Sequence, residues 1–394
     1  MDRSYTQTRN MQARAFIPLF IGTAAAMLGL GIIIPILPLY AESMGASGLL
    51  VGLVVGAFAL SRTVFAPIIG RISDRRGRKR ILVGGLFLYV VLSLSYVIAP
   101  DPAWLVAVRF AHGFASIMIT PIAQAYIGDI TPRGKEGEYI NLFVMSLFTG
   151  MAVGPLLGGY LSEAFSFDAP FYAMAIAAGI SLLLVLVLVP DKAPTEAANR
   201  PPTEHTFKAV LKDPPMRAIM SFMASRGFYR WGFNSFFPVL AIGMMSKTHI
   251  GMVVSGYMII DMLFQYPMGR LSDTLSDHRT AFVLAGGSIS ALCMVAVPLA
   301  ETTYLLLIPV FGMGIFSAIA RSSMLAIRTE RGRDLGMGTV TGAHTSSLGV
   351  GQMLGPILFG CIVDLFSIQA AFYVGGAVGL IGVLAAFKFL RQRA

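Results

Sequence analysis

Charge is what this sequence has little of. Asp, Glu, Lys and Arg make up 13% of its 394 residues, against about a quarter in an ordinary soluble domain. With 56% of the residues hydrophobic, too few polar side chains remain to cover a water-facing surface. That excludes a water-soluble globule and makes lipid the expected solvent. Cysteine is nearly absent. Cys293 and Cys361 stand alone in apolar runs, which excludes a disulfide framework and a cysteine metal site. No HExxH pattern, no Ser/His/Asp cluster within the apolar runs and no metal-ligand spacing occurs. Neither a membrane-embedded enzyme nor a cofactor or metal centre is expected.

What is present is a series of long apolar runs, at approximately 15–41, 48–69, 81–99, 103–128, 140–164, 170–189, 217–243, 250–268, 281–299, 304–327, 337–362 and 368–389. A spanning helix needs about 20 mostly apolar residues. In lipid each span must be helical, because nothing there pairs with an open peptide group. The runs therefore predict twelve transmembrane helices. The basic stretch 1–14 leads into a run too long for a cleaved signal peptide, so that run is read as a retained first span.

The 30 Lys and Arg residues are placed one-sidedly. The termini and the loops after runs 2, 4, 6, 8 and 10 hold 24 of them. The opposite loops hold Lys247 alone, and Arg62, Arg109, Arg226, Arg230 and Arg321 fall inside runs. This asymmetry predicts that both termini are cytoplasmic. The net charge of +10 is then an orientation device and not a nucleic-acid footprint. The hydrophilic stretch 190–215 contains six prolines, which helix interiors reject. It divides the chain into an N-terminal six-helix bundle (1–189), a cytoplasmic linker (190–215) and a C-terminal six-helix bundle (216–394). Within the linker, 205–212 is a candidate amphipathic surface helix.

The halves repeat. GRISDRRGRK at 70–79 returns as GRLSDTLSDHR at 269–279, offset by 199 residues. GMAVGPLLGG at 150–159 returns as GQMLGPILFG at 351–360, offset by 201. Gly29 and Pro35 align with Gly232 and Pro238, offset by 203. Such order at nearly one spacing implies duplicated halves, an arrangement of secondary transporters. The expected fold is an all-α membrane protein of two pseudo-symmetric six-helix bundles.

On these residues the sequence resembles the major facilitator superfamily over essentially its whole length. Gly70, Asp74, Arg75, Gly77, Arg78 and Lys79 occupy every defining position of that superfamily's loop 2–3 motif. The run 150–159 resembles the span 5 motif of its drug:proton antiporters, and Arg109 with Gly113 resembles their Arg-x-x-x-Gly motif. The twelve-span antiporter branch is the nearest match. The resemblance implies a monomer working by alternating access on a small molecule. It also implies a latch of the outward-facing state built from Gly70, Asp74, Arg75, Gly77, Arg78 and Asp129. There Asp74 would cap a facing helix N-terminus, where the dipole favours negative charge, and Arg75 would pair with Asp129. The plainer reading is that the basic run only sets orientation. The second half keeps Gly269, Arg270 and Asp273 without the basic cluster, so its latch is expected to be weaker.

Gly150, Gly154, Gly158 and Gly159 lie on roughly one helix face, which lets a neighbouring helix approach closely. Pro155 is expected to bend that helix, and Gly355 with Pro356 are the equivalents in the second half. This is a packing and hinge feature.

Ionisable residues inside a membrane are costly and tend to be functional. Arg62 and Asp261 each precede their motif glycine by eight residues, about 12 Å along a helix. They are expected to face each other across a central cavity. Arg226 and Arg230, spaced i, i+4, share a face, and the repeat offset matches them to Thr23 and Met27. Two stacked guanidiniums require an anion or a carboxylate between them. Arg226, Arg230, Arg109 and Arg62 are therefore candidates for binding an anionic group, with Tyr229, Trp231 and Asn234 as a partly apolar wall. The plainer alternative pairs some of these arginines with Asp261 or backbone carbonyls. Arg321 is expected near the cytoplasmic end of its span, where its side chain would snorkel.

The resembled antiporters place a coupling carboxylate in span 1. This sequence has none there before Glu42. Asp261, His112 and His344 are the remaining candidates for proton coupling. The expected function is a proton-linked secondary transporter of the bacterial inner membrane that exports small amphipathic, anionic molecules. The alternatives are an anion or lipid-headgroup importer or exchanger and, in another class, a non-transporting receptor or scaffold.

Overall fold

The computed structural model describes residues 3–131, 136–191 and 207–392, and their regular structure is all helix, joined by short turns. The first half contains α1 (Arg3–Ile33), α2 (Ile36–Ser43), α3 (Gly48–Arg76), α4 (Arg78–Ser95), α5 (Pro102–Ile130), α6 (Glu136–Ala164) and α7 (Ala169–Leu188). A short α8 (Phe207–Lys212) follows, inside the stretch expected to form a surface helix. The second half contains α9 (Pro214–Ala241), α10 (Lys247–Thr274), α11 (Arg279–Ala296), α12 (Thr303–Leu335), α13 (Met337–Leu365) and α14 (Ile368–Arg391). Each apolar run becomes one long helix, except that the first breaks into α1 and α2 at Pro35, which has no N–H to donate.

Nine helices among the described residues are long and apolar enough to cross a membrane. The long helices outside that set are α4, α9 and α10. Charge, not length, lowers their hydropathy. α4 opens on Arg78, Lys79 and Arg80, while α9 and α10 carry Arg226, Arg230 and Asp261 in their middles.

The packing shows the duplication directly. In the first half α1 packs on α6 and α7, α3 on α5, and α4 on α5 and α7. In the second half α9 packs on α13 and α14, α10 on α12, and α11 on α12 and α14. Replacing each first-half helix by its repeat partner turns one set into the other. The halves meet through α3 against α13 and α6 against α10, and these two contacts exchange under the same operation.

Glycine makes the close contacts. A methyl group at Gly150 would lie 2.8 Å from the Leu28 nitrogen, and one at Gly154 would lie 2.6 Å from the Ile32 nitrogen. Gly158 also packs on Ile32. Gly159 is one residue further and so about 100° round the helix. It faces α10, with the Thr248 Cα at 3.1 Å from such a methyl. The expected single glycine face is thus split, with three residues serving α1 and one serving the interface between halves. Gly355 packs on Phe228 in the second half, as Gly154 does on Gly31 in the first. α6 runs through Pro155 as one helix. Beyond it, the Leu156 N–H donates to Ser255 Oγ of α10 at 2.9 Å. Gly154→Ala is expected to cost about 1–3 kcal/mol through overpacking. Thermal unfolding of the purified protein would show it, with Gly128→Ala as control, since a methyl there meets nothing within 4 Å.

The interface is sealed at the end remote from the termini. The backbone N–H groups of Gly48 and Leu49, opening α3, donate to the Asp364 carboxylate of α13 at 2.6 and 2.8 Å. The Thr248 N–H, in the first turn of α10, donates to Glu163 Oε2 of α6 at 2.8 Å. Glu163 and Asp364 are repeat partners at the 201-residue offset. Each closes on the positive end of a helix in the opposite half. Towards the termini, a methyl at Gly70, Gly269, Gly338 or Gly342 would meet nothing within 4 Å among the described residues.

At that end Asp129 pairs with Arg78, which corrects the expected Arg75–Asp129 pair. Gly77, at φ 90°, ends α3 and starts α4. Arg78 therefore opens the helix that packs on α5, while Arg75 stays exposed on the last turn of α3. The Asp74 side chain lies outside the described residues. The second half keeps an equivalent bridge. Arg279 pairs with Glu330, the repeat partner of Asp129, and with Asp273 at 3.1 Å.

Candidate functional site

Arg226 and Arg230 project from one face of α9 towards α10 and α12. They converge there on Asp261, which sits fourteen residues into α10, about 21 Å from its start. Asp261 Oδ2 accepts from Arg230 Nη1 at 2.7 Å. Arg321 Nη2 lies at 3.3 Å and Arg226 Nη2 at 3.6 Å from the same oxygen. Arg226 Nε donates to Ser317 Oγ of α12 at 3.1 Å. Among the described residues Asp261 is the one buried carboxylate. Three guanidiniums thus share one carboxylate, and the cluster carries two surplus positive charges. Asp261 Oδ1 and Arg321 Nε have no hydrogen-bond partner among the described residues. A cavity of about 50 Å³ opens on Arg230, Asp261 and Arg321. Its remaining walls are Met258 and Met262 of α10 and Phe148, Met151 and Ala152 of α6, so it lies between the halves.

This geometry corrects two expectations. Asp261 pairs with three arginines of its own half and not with Arg62. Arg62 instead places its Cζ 5.5 Å from the centre of the Phe58 ring. Arg321 does not snorkel. α12 continues to Leu335, so fourteen residues, about 21 Å, separate Arg321 from that end. The apolar run stops near residue 327 because the last turns of α12 are hydrophilic. The surplus of buried arginine over buried carboxylate was the sequence signal that could have drawn Arg321 in.

A second positive centre lies in the first half. Arg109 is 2% exposed and stacks on Phe58, with Cζ 4.3 Å from the ring centre. Its Nε and Nη1 have no hydrogen-bond partner among the described residues. It lines a small cavity between the halves together with Trp231, Asn234, Val55 and the α1–α2 break at Ile33 and Ile34. Trp231 and Asn234 thus line the cavity at Arg109 and not the one at Asp261. Tyr229 lines neither. Its hydroxyl lies 3.3 Å from Ser290 Oγ and its ring packs beside Gly379, inside the second half. Neighbours in sequence differ by about 100° round a helix, so Tyr229 points away from the cavity that Arg230 faces.

His112 is buried, with Nδ1 3.0 Å from the Tyr96 hydroxyl and its ring edge-on to Tyr89 at 4.1 Å. His344 is half-buried on α13, and both its ring nitrogens lack hydrogen-bond partners among the described residues.

Comparison with known proteins agrees with this architecture. The family model described as Major Facilitator Superfamily matches residues 19–244 and 224–394. An uncharacterized MFS-type transporter of Methanocaldococcus jannaschii is 28% identical over 356 residues, 89% of this chain and 91% of that protein. The quinolone resistance protein NorA of Staphylococcus aureus is 24% identical over 397 residues, 95% of this chain and 96% of its own length. The crystal structure of the human organic anion transporter MFSD10 superposes with a TM-score of 0.66 at 16% identity, covering 95% of this chain and 99% of that one. The chain belongs to the major facilitator superfamily and is a multi-pass membrane transporter.

Proposed function

We propose that this major facilitator superfamily transporter is a secondary active carrier exporting small amphipathic organic anions in exchange for protons. The observation that supports it is the unbalanced cluster of Arg226, Arg230 and Arg321 around Asp261. Arginine binds carboxylate and phosphate groups through its planar fork, and two surplus charges at a cavity between halves favour an anion. The surplus charges would hold the anion beside ionised Asp261 on the outward step. After its release Asp261 would take a proton from outside and give it up inside, so one proton would enter for each anion exported. The methionines of the cavity wall are adaptable apolar surface, which suits a substrate with an apolar body. The relatives' names point the same way, one for drug resistance and one for organic anion transport.

On this reading α4, α9 and α10 also span the membrane, giving twelve spans in bundles 1–189 and 216–394 joined by 190–215. By the positive-inside rule the Lys- and Arg-rich side, with both termini, would be cytoplasmic, in the inner membrane of a bacterium. The end capped by Asp364 and Glu163 would then be external. Gly70, Asp74, Arg75, Gly77, Arg78 and Asp129 would close the opposite end in the other half of the cycle, in a monomer.

Arg226→Ala and Arg230→Ala are expected to weaken an anionic amphiphile roughly 10- to 100-fold, the worth of a buried charge-assisted bond. The measurement is substrate affinity and transport rate in proteoliposomes with correctly inserted protein. Unchanged affinity and rate would remove the basis of the proposal. The same charge surplus also fits an anion or lipid-headgroup exchanger without protons. Collapsing the pH gradient while keeping anion inside separates the two, since transport stops in the first and continues in the second.

A further inference from the structure

α12 carries a further arginine beyond the cluster. Arg328 lies seven residues past Arg321 and seven before the helix ends at Leu335, about 10 Å in each direction. Seven residues are nearly two turns, so Arg321 and Arg328 share a face of the helix. Within the last two turns on the side of the termini, five described Lys and Arg residues are half-buried. Four have partners. Arg78 pairs with Asp129, Arg279 with Glu330 and Arg331 with Asp213, and Lys79 donates to the Leu186 carbonyl. Arg328 has none among the described residues. Its Nε is enclosed without a partner. Its two Nη groups make no hydrogen bond and are not enclosed, so they reach open space. A charge that served orientation alone would stand in water, as the exposed Arg333 does.

The repeat sets Arg328 further apart. By the 201-residue offset it corresponds to Ile127 and His344 to Phe143, both fully buried in the first half. Arg321 corresponds in the same way to Thr120. Neutral interior positions of one half have become a line of bases in the other, running from near the end of α12 to Asp261. His344 of α13 joins the levels, because the charges of Arg328 and Arg226 both act on it. Its ring nitrogens are enclosed here, so contact with a ligand falls to the open Nη groups of Arg328. An organic anion moving inwards gives up water, and a guanidinium fork that fits carboxylate or phosphate compensates its charge on the way.

We propose that Arg328 is a transit station for the anionic group of the substrate, holding it about 10 Å short of the cluster at Asp261 on the side of the termini. The station rests on the anion reading given above and adds to it a residue that sets the rate of loading and not the affinity. An entrance lined by one sign of charge speeds association roughly 10- to 1000-fold, an effect that salt suppresses. A ligand passes the same station on leaving, so entry and release are speeded alike and the dissociation constant stays where the cluster sets it.

The test follows stopped-flow binding of octanesulfonate, an amphiphile that stays ionised, to the protein in lipid nanodiscs. Trp231 beside Arg230 is the reporter, in a Trp104→Phe background that removes the other tryptophan. Arg328→Gln should slow binding and release alike, about tenfold or more, and leave Kd within about twofold. Arg328→Lys, which keeps the charge, should recover most of the rate. Thermal unfolding of Arg328→Gln should not fall, since no partner is left unpaired. Arg226→Ala should raise Kd instead. In the unmodified protein the binding rate should fall as salt is added, a readout that needs no variant. Unchanged rates in Arg328→Gln, a salt-independent binding rate, or a raised Kd with faster release would each overturn the station, the last by placing Arg328 in the final site. If octanesulfonate does not bind the unmodified protein, the anion reading itself fails and the station with it.

Discussion

Asp261→Asn is expected to abolish coupled transport and to destabilise the protein by about 3–5 kcal/mol, the cost of leaving buried charge unpaired. The size of the effect follows from the count of charges. Asp261 Oδ2 is within 4 Å of three guanidiniums, and removing its charge raises the local surplus from two to three. Asn also cannot take up and release a proton, so the return limb of the exchange has no proton carrier. A charge argument makes a further demand. In the Asp261→Asn background, Arg321→Gln restores the original surplus and should recover much of the lost stability without recovering coupling. Thermal unfolding and proton-driven transport in proteoliposomes read the two effects separately. If the double variant is no more stable than Asp261→Asn alone, the cluster is not balanced as a unit.

Asp364→Asn together with Glu163→Gln is expected to shift the carrier strongly towards the conformation open at the opposite end. Asp364 holds two N–H groups of α3 and Glu163 holds one of α10. All three bonds cross between the halves at the sealed end. Each bond to a charged acceptor contributes about 1.5–3 kcal/mol, so weakening them can move a conformational ratio by two orders of magnitude or more. Spin-label distances between the outer ends of α3 and α13, and between α6 and α10, measure this with Cys293 and Cys361 replaced by Ser. The single variants should have intermediate distributions. Unchanged distances in the double variant would assign the seal to the glycine contacts alone.

The sequence conveyed the helices, the duplication and the glycine packing because each is a local or periodic property. Hydropathy placed the long helices within a few residues, except that α1 begins twelve residues before its apolar run and α3, α10 and α12 continue six to eight residues past theirs. The chemistry of the interior was legible by residue type but not by partner. Arg226 and Arg230 share a helix face by spacing alone, whereas their convergence with Arg321 on Asp261 depends on how three helices pack. Tyr229 was misplaced because neighbours in sequence point in different directions on a helix. Glu163 and Asp364 escaped notice because each acts on a helix start in the other half. The 201-residue offset already related them, but nothing local marked either as a cap.

The charge surplus around Asp261 has an electrical consequence. On the exchange reading, the cluster with a bound monoanion and ionised Asp261 carries one net positive charge outward, and with Asp261 protonated it carries three back. A membrane potential acts on each fully translocated charge with about 2.3 kcal/mol per 100 mV. A cell interior held negative therefore favours the return of the protonated carrier more than it resists the outward step of the loaded one. The return becomes the voltage-sensitive half of turnover, so the resting potential, and not the proton gradient alone, sets how fast the carrier resets.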